Sequence, residues 1–270
     1  MDTPHCLAIS VGNSRIYAGR FTEDGLDWNA RFENNDYEDA AAAIAEAWQA
    51  VAGEPRAAMV LASVNDVVAD PLAEVISRRT GETVYRMGTD LAVPIGQQLD
   101  PASHTGIDRL LNAAGAFDTL HQACVVVDVG TAVTVDFVDG DGVFHGGAIA
   151  PGAAMQLRAM HQQTTALPEV DFSVPDGEPF GRSTAEAMIR GVYHGIRGLV
   201  WRLTEQYATE YDAFPPVIVT GGDALALFEN DELVDRIVPN LTLIGMAAAV
   251  RRALESNDDT EASSPPFGHS

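Results

Sequence analysis

The chain alternates between two patterns of apolar and polar positions. Short runs that are apolar at almost every position, Cys6–Ile9, Ala57–Ala62, Cys124–Val127 and Val217–Val219, predict strands, and apolar residues three or four apart predict helices between them. The helical spacing falls over Tyr37–Val51, with Ile44, Trp48 and Val51 on one stripe, over Asp70–Thr80, over Ile107–Phe117, and over a closing stretch Thr242–Leu254. Thr83–Arg86 reads as a short strand and Gly88–Thr105, with two prolines, as a loop-rich connection. Phe144–Gly152 reads as a glycine-rich loop leading into a helix that ends near Ala166. The longest helix is expected to open at Ser183-Thr-Ala-Glu186, where the serine oxygen takes an amide proton and the glutamate reaches back, and to run to Tyr211. Its stripe of Met188, Val192, Ile196, Leu199 and Leu203 is apolar. Gly191, Gly195 and Gly198 leave a face for close packing, within the chain or against a second subunit. The polar stretch Ser256–Ser270 is expected to be disordered.

Two segments repeat one another. Cys6-Leu-Ala-Ile-Ser-Val-Gly-Asn-Ser14 and Cys124-Val-Val-Val-Asp-Val-Gly-Thr-Ala132 each take an apolar strand into Ser10 or Asp128, then into Val-Gly and a polar side chain. A second β-type run follows each, Arg15–Phe21 and Val133–Val138. A hairpin turned on glycine lets backbone N–H groups approach an anion, because no Cβ stands in the way. The repetition predicts an α/β fold built twice, as residues 1–115 and 116–255, with 256–270 as a tail.

Composition narrows the chemistry. The 270 residues carry 39 acidic against 16 basic side chains, a net charge of −23 that repels nucleic acid. No run of about 18 or more apolar residues predicts a membrane span, and the first residues lack the pattern of a signal peptide, so a soluble cytoplasmic protein is expected. There is no lysine, which excludes a P-loop lysine and a Schiff base. Cys6 and Cys124 make no disulfide framework and read as core residues.

Phosphoryl transfer needs cradled phosphates, charge offset by metal, and a hydroxyl aimed and relieved of its proton. The glycine turns at Gly12 and Gly130 offer cradles, with Asn13, Ser14 and Thr131 as side-chain donors. Asp128, at a strand end, suits a cation. Asp108, opening a helix just before Arg109, suits a general base beside an anion-holding arginine. Each of these aspartates also fits a capping or turn role, and Ser183 and Thr184 read first as a helix cap.

In this order the motifs resemble the type III pantothenate kinases of the acetate and sugar kinase, heat-shock and actin superfamily. They are Val11-Gly-Asn-Ser14, Gly106-Ile-Asp-Arg109, Asp128-Val-Gly-Thr131, Gly146-Gly-Ala-Ile-Ala-Pro-Gly152, Thr165-Ala-Leu-Pro168, Gly181-Arg-Ser-Thr184, Thr220-Gly-Gly-Asp223 and Leu241-Thr-Leu. The resemblance implies duplicated ribonuclease H-like, actin-like ATPase domains with mixed central sheets. It implies phosphorylation of pantothenate, with Asp108 as proton acceptor and Gly106, Ile107, Asp108, Arg109 and Thr184 at the pantothenate. It further implies ATP with Mg²⁺ at Ser10, Val11, Gly12, Asn13, Ser14, Arg15, Ile16, Tyr17 and Thr131, K⁺ or NH₄⁺ at Asp128, and a homodimer. The family's first aspartate is Ser10 here, and Gly96–Thr105 lacks a tyrosine that the family often places against pantothenate. A catalytically silent nucleotide-binding or regulatory homologue, and a kinase of another small hydroxyl substrate, are the alternatives.

Overall fold

The computed structural model describes residues 4–100 and 104–262. It divides into two compact units. The first takes in the chain to Pro94, His104–Asp118 and the chain from Thr242, and the second takes in the stretch from Ile95 and Thr119–Leu241.

In the first unit, β1 (Cys6–Val11), β2 (Arg15–Thr22) and β3 (Gly25–Glu33) form an antiparallel meander; β4 (Ala58–Ser63) and β5 (Val84–Arg86) extend it in parallel from β1, giving the order β3-β2-β1-β4-β5. The two-residue period of a strand, with both faces covered, explains why β1 is apolar at every position but Ser10. Leu7, Ile9 and Val11 face a core shared with α1 (Tyr37–Trp48) and α2 (Asp66–Thr80). Cys6 and Ala8 face the other way, toward residues of α3 (Ile107–Leu120) and α7 (Leu241–Ala262).

The second unit repeats this plan. β7 (Cys124–Val129), β8 (Ala132–Val138) and β9 (Val143–Pro151) form the meander, β10 (Val217–Thr220) and β11 (Arg236–Ile237) run parallel beyond β7, and β6 (Gly96–Gln97) joins the outer edge of β9. α4 (Ala153–Gln163), α5 (Thr184–Tyr211) and α6 (Ala224–Phe228) contribute to one core with Val125, Val127 and Val135. The duplication read from two hairpins therefore extends over five strands of each sheet.

Four local expectations shift. β3 is an additional strand, its alternation of Leu26, Trp28, Ala30 and Phe32 set against β2. The glycine-rich Phe144–Gly152 is mostly strand β9: a Cβ on Gly147 would lie 2.6 Å from the Asp136 carboxylate and still closer to the Val135 carbonyl, so glycine is what lets β9 reach β8. α2 starts at Asp66 and holds Pro71 inside it. The apolar stripe of α5 continues from Met188, Val192 and Ile196 through Val200 and Thr204, with Leu203 only partly buried.

Domain order differs from a single boundary at 115/116, because α7 groups with the first unit. Leu243, Met246 and Val250 are almost wholly buried against Cys6, Ala8 and Val60, and each such side chain contributes about 1.5–3 kcal/mol. The helix continues to Ala262, past Leu254 and into the stretch expected to be a disordered tail; residues 263–270, like 101–103 of the connection before Gly106, lie outside the described residues.

Candidate active site

The first hairpin turns through residues 12–14, and Gly12 N donates to Arg15 O at 2.9 Å. Asn34, the residue after β3, holds this turn: its Nδ2 donates to Gly12 O and Asn13 O, both at 3.0 Å, and its backbone N donates to Ser14 O at 3.3 Å. Arg15 Nε donates to Glu33 Oε1 at 3.1 Å, and hydrogen bonding to Glu33 and Tyr17 raises the guanidinium pKa further. Ser10 is half-buried on β1, opposite Tyr17 and beside Ala62. Val11 and Ile16 are core residues, so of the expected nucleotide contacts those two have only backbone to give. Nothing in the local sequence marked Asn34; its signal is its register opposite Ser14.

α3 brings the second motif to the same edge of the first sheet. Val64, just past β4, donates its N–H to Val11 O at 3.0 Å, and its Cγ1 lies 3.9 Å from where a Cβ on Gly106 would stand. Gly106 has no Cβ because the Asp108 carboxylate folds over it; the added atom would be 2.6 Å from Oδ1. Arg109 N donates to that Oδ1 at 2.8 Å and to Gly106 O at 3.2 Å. Asp108 and Arg109 are half-exposed, whereas Ile107 packs on the core shared with α7. Asp108 is thus an acid at the first turn of a helix, partly open to solvent and oriented by a backbone amide.

In the second unit the corresponding turn is Gly130-Thr131, with Gly130 N donating to Ala132 O at 2.9 Å. Two glycines from other motifs close on it. Gly152, the N-cap of α4, donates to Thr131 O at 3.1 Å, and a Cβ there would lie 2.7 Å from that oxygen and overlap Gly130 O. Gly221, at φ +100°, follows β10, whose Thr220 pairs with Asp128; a Cβ on it would lie 2.5 Å from Asp128 Oδ1 and strike Val129 O. Asp223 N then donates to Val129 O at 3.0 Å. The carboxylate of Asp128, half-buried, is thus wrapped by backbone, in a cradle that a side chain on Gly221 would fill. Asp136, the other acid of this hairpin, is buried inside the sheet beside Gly147 and away from the turn.

Thr184 opens α5 with its neighbours in a complete capping box: Ser183 Oγ accepts from Glu186 N at 3.2 Å, and Glu186 Oε2 accepts from Ser183 N at 3.3 Å and Arg182 N at 2.7 Å. Thr184 itself is exposed and is not part of that box. Gly181 packs against the first turn of α5, where a Cβ would lie 2.5 Å from Ala187 N. The segment before it is pinned by Arg190, which donates to the Asp176 carboxylate and to Asp176 O.

Burial pushes the thiols of Cys6 and Cys124 up to about 12, which leaves both as packing residues rather than nucleophiles. Among the described residues no three His, Cys, Asp or Glu side chains gather into a metal-binding cluster. None of the described helices is long and apolar enough to cross a membrane.

The sequence model of the type III pantothenate kinases matches residues 6–206. A type III pantothenate kinase of Desulfatibacillum aliphaticivorans is 29% identical over 93% of this chain and 99% of its own length, and one of Rhodospirillum centenum is 34% identical over 89% and 95%. Among solved structures, a conserved Campylobacter jejuni protein named as a Baf family transcriptional activator aligns with a TM-score of 0.58 at 19% identity, over 94% of this chain and 99% of its own. MreB5 of Spiroplasma citri bound to ADP aligns with a TM-score of 0.50 at 12% identity, over 97% and 99%. At such identities these likenesses speak for the fold alone. The two mixed sheets are those of the actin-like ATPase and sugar-kinase fold.

Proposed function

The chain belongs to the type III pantothenate kinase family, and we propose that it transfers the γ-phosphoryl group of ATP to the hydroxyl of pantothenate, giving 4′-phosphopantothenate and ADP, the first step of coenzyme A biosynthesis. The observation that most supports this reading is the joining, through Val64, of the end of β1 to the Gly106 turn that carries Asp108. One edge of the first sheet then offers a phosphate-loop hairpin and a candidate base together. Asp108 takes the hydroxyl proton as the oxygen attacks phosphorus. Arg109 takes the pantothenate carboxylate with Gly106 and Ile107 beside it, and Thr184 is the pantothenate contact proposed from the second unit. Ser10, Gly12, Asn13, Ser14, Arg15 and Tyr17, with the backbone of Val11 and Ile16, and Thr131 hold ATP.

Mg²⁺ carried on ATP offsets charge on the phosphates during transfer. K⁺ or NH₄⁺ is assigned to Asp128, since a single carboxylate at a strand end supplies oxygen without the charge density that a divalent ion demands. The protein acts in the cytoplasm.

A homodimer is part of the proposal. Gly191, Gly195 and Gly198 on α5 have open space where a Cβ would stand, so the close-packing face of that helix is not used by its own chain among the described residues. Sedimentation at micromolar concentration is expected to give a dimer; a monomer overturns this point.

Ser10 favours one competing reading, a silent nucleotide-binding homologue, because a hydroxyl replaces the family's carboxylate where metal-bound phosphates would sit. ADP release with and without pantothenate decides between them. Pantothenate-dependent release supports the kinase reading, and release with a different hydroxyl compound points to another acceptor. Ser10→Asp is expected to raise kcat/KM or lower the magnesium requirement. Lower activity would mean that the site is built around the serine. Nucleotide binding without turnover in either form would establish the silent homologue.

A further inference from the structure

We infer that Asn34 is a positioning residue that shapes the ATP loop of the first hairpin by donating hydrogen bonds into it. The inference rests on the nucleotide role proposed above for residues 10–17. Three successive carbonyls, Gly12 O, Asn13 O and Ser14 O, accept from this one residue, at 3.0, 3.0 and 3.3 Å. In a planar trans peptide the C=O and the following N–H point in opposite directions. Drawing those three oxygens toward Asn34 therefore turns the N–H groups of Asn13, Ser14 and Arg15 to the other side of the loop. Successive amides facing one way are the concavity that binds phosphate.

The second hairpin shows what the device replaces. β2 pairs with β3 as Arg15↔Glu33, and β8 pairs with β9 as Ala132↔Pro151, so Asn34 and Gly152 are the next residues in equivalent register. Both donate their backbone N–H to the loop, to Ser14 O and Thr131 O. The second loop is short, Gly130 and Thr131 between the strands, and its carbonyls come so near Gly152 that a Cβ would lie 2.7 Å from Thr131 O. The first loop holds Gly12, Asn13 and Ser14, one residue more, and the carboxamide of Asn34 occupies the room that the longer loop leaves. Asn34 Oδ1 is buried with no hydrogen-bond partner among the described residues, so what fixes the orientation of the side chain is the pair of loop carbonyls that Nδ2 reaches.

The test compares Asn34→Ala with the isosteric Asn34→Asp in the full chain, by steady-state kinetics and by calorimetric titration with Mg·ADP. Asn34→Ala is expected to raise KM for ATP and Kd for Mg·ADP about tenfold, the order expected from two neutral hydrogen bonds, with KM for pantothenate moving far less. Asn34→Asp is expected to be worse than Asn34→Ala, because its carboxylate would face the two carbonyl oxygens, Gly12 O and Asn13 O, that the amide nitrogen now reaches. A space-filling role predicts the reverse order, since aspartate keeps the shape. If the aspartate variant does not fold, judged by its melting curve, the alanine variant decides through the split between the two KM values. Wild-type nucleotide affinity in both variants, or equal rises in both KM values, overturns the inference while leaving the kinase reading intact. A wild-type protein that binds no Mg·ADP overturns both.

Discussion

Asp108→Asn is expected to lower kcat by about 10²- to 10⁴-fold, the usual worth of a positioned general base, while Mg·ATP still binds. Asparagine keeps an oxygen to accept from Arg109 N, a bond of 2.8 Å, and keeps the shape that folds over Gly106. What it loses is the capacity to take a proton from the acceptor hydroxyl. The first hairpin, to which ATP is assigned, is held by Asn34, by Gly12 N to Arg15 O and by the Arg15–Glu33 pair, none of which involves Asp108. Single-turnover and steady-state rates, with nucleotide titration and a melting curve as controls, check this. A variant with near wild-type kcat removes Asp108 from the role of base and the acceptor site from the start of α3.

Gly221→Ala is expected to destabilise the second unit and to abolish any dependence of activity on K⁺. At φ +100° an L-residue pays about 1–2 kcal/mol of backbone strain. Its Cβ would also strike Val129 O and stand 2.5 Å from Asp128 Oδ1, an overlap with backbone that costs about 1–3 kcal/mol or more to relieve. The sum, about 2–5 kcal/mol, corresponds to a melting temperature lower by roughly 4–20 °C for a unit of this size. The motion that relieves the clash displaces the Asp128 carboxylate, so the cation response should vanish even in folded protein. Unchanged melting with an unchanged K⁺ response would separate Gly221 from the cradle and leave Asp128 as an ordinary strand-end acid.

Much of the fold was legible in order along the chain. The matching Ser10-Val-Gly12 and Asp128-Val-Gly130 hairpins announced duplication, and each proved to be the centre of a sheet with the same strand order. The capping box at Ser183 and Glu186 was legible because its partners are three residues apart. β9 was not, because three glycines in Phe144–Gly152 have the local look of a loop while serving close contacts with β8 and with the Gly130 turn. The grouping of α7 with the first unit is not legible in sequence, because the surface that it buries, Cys6 and Ala8, lies more than two hundred residues earlier.

For the site, sequence alone determined the residue types: glycines at the turns, acids at strand and helix ends, the resemblance of eight short motifs to one family. Local chemistry is enough for that, since a turn needs its glycine and a helix its cap wherever they lie. Only the tertiary structure decided why several of those glycines stand where they do. Gly152 clears the Thr131 carbonyl and Gly221 clears Asp128, each a contact with an atom that the residue's immediate neighbours do not predict, whereas Gly106 clears the carboxylate of Asp108 only two residues on. It also brought forward Asn34, ordinary in sequence, whose significance comes from strand register: pairing across β2 and β3 sets it opposite Ser14, and hydrogen bonds across a sheet depend on register that no single segment specifies.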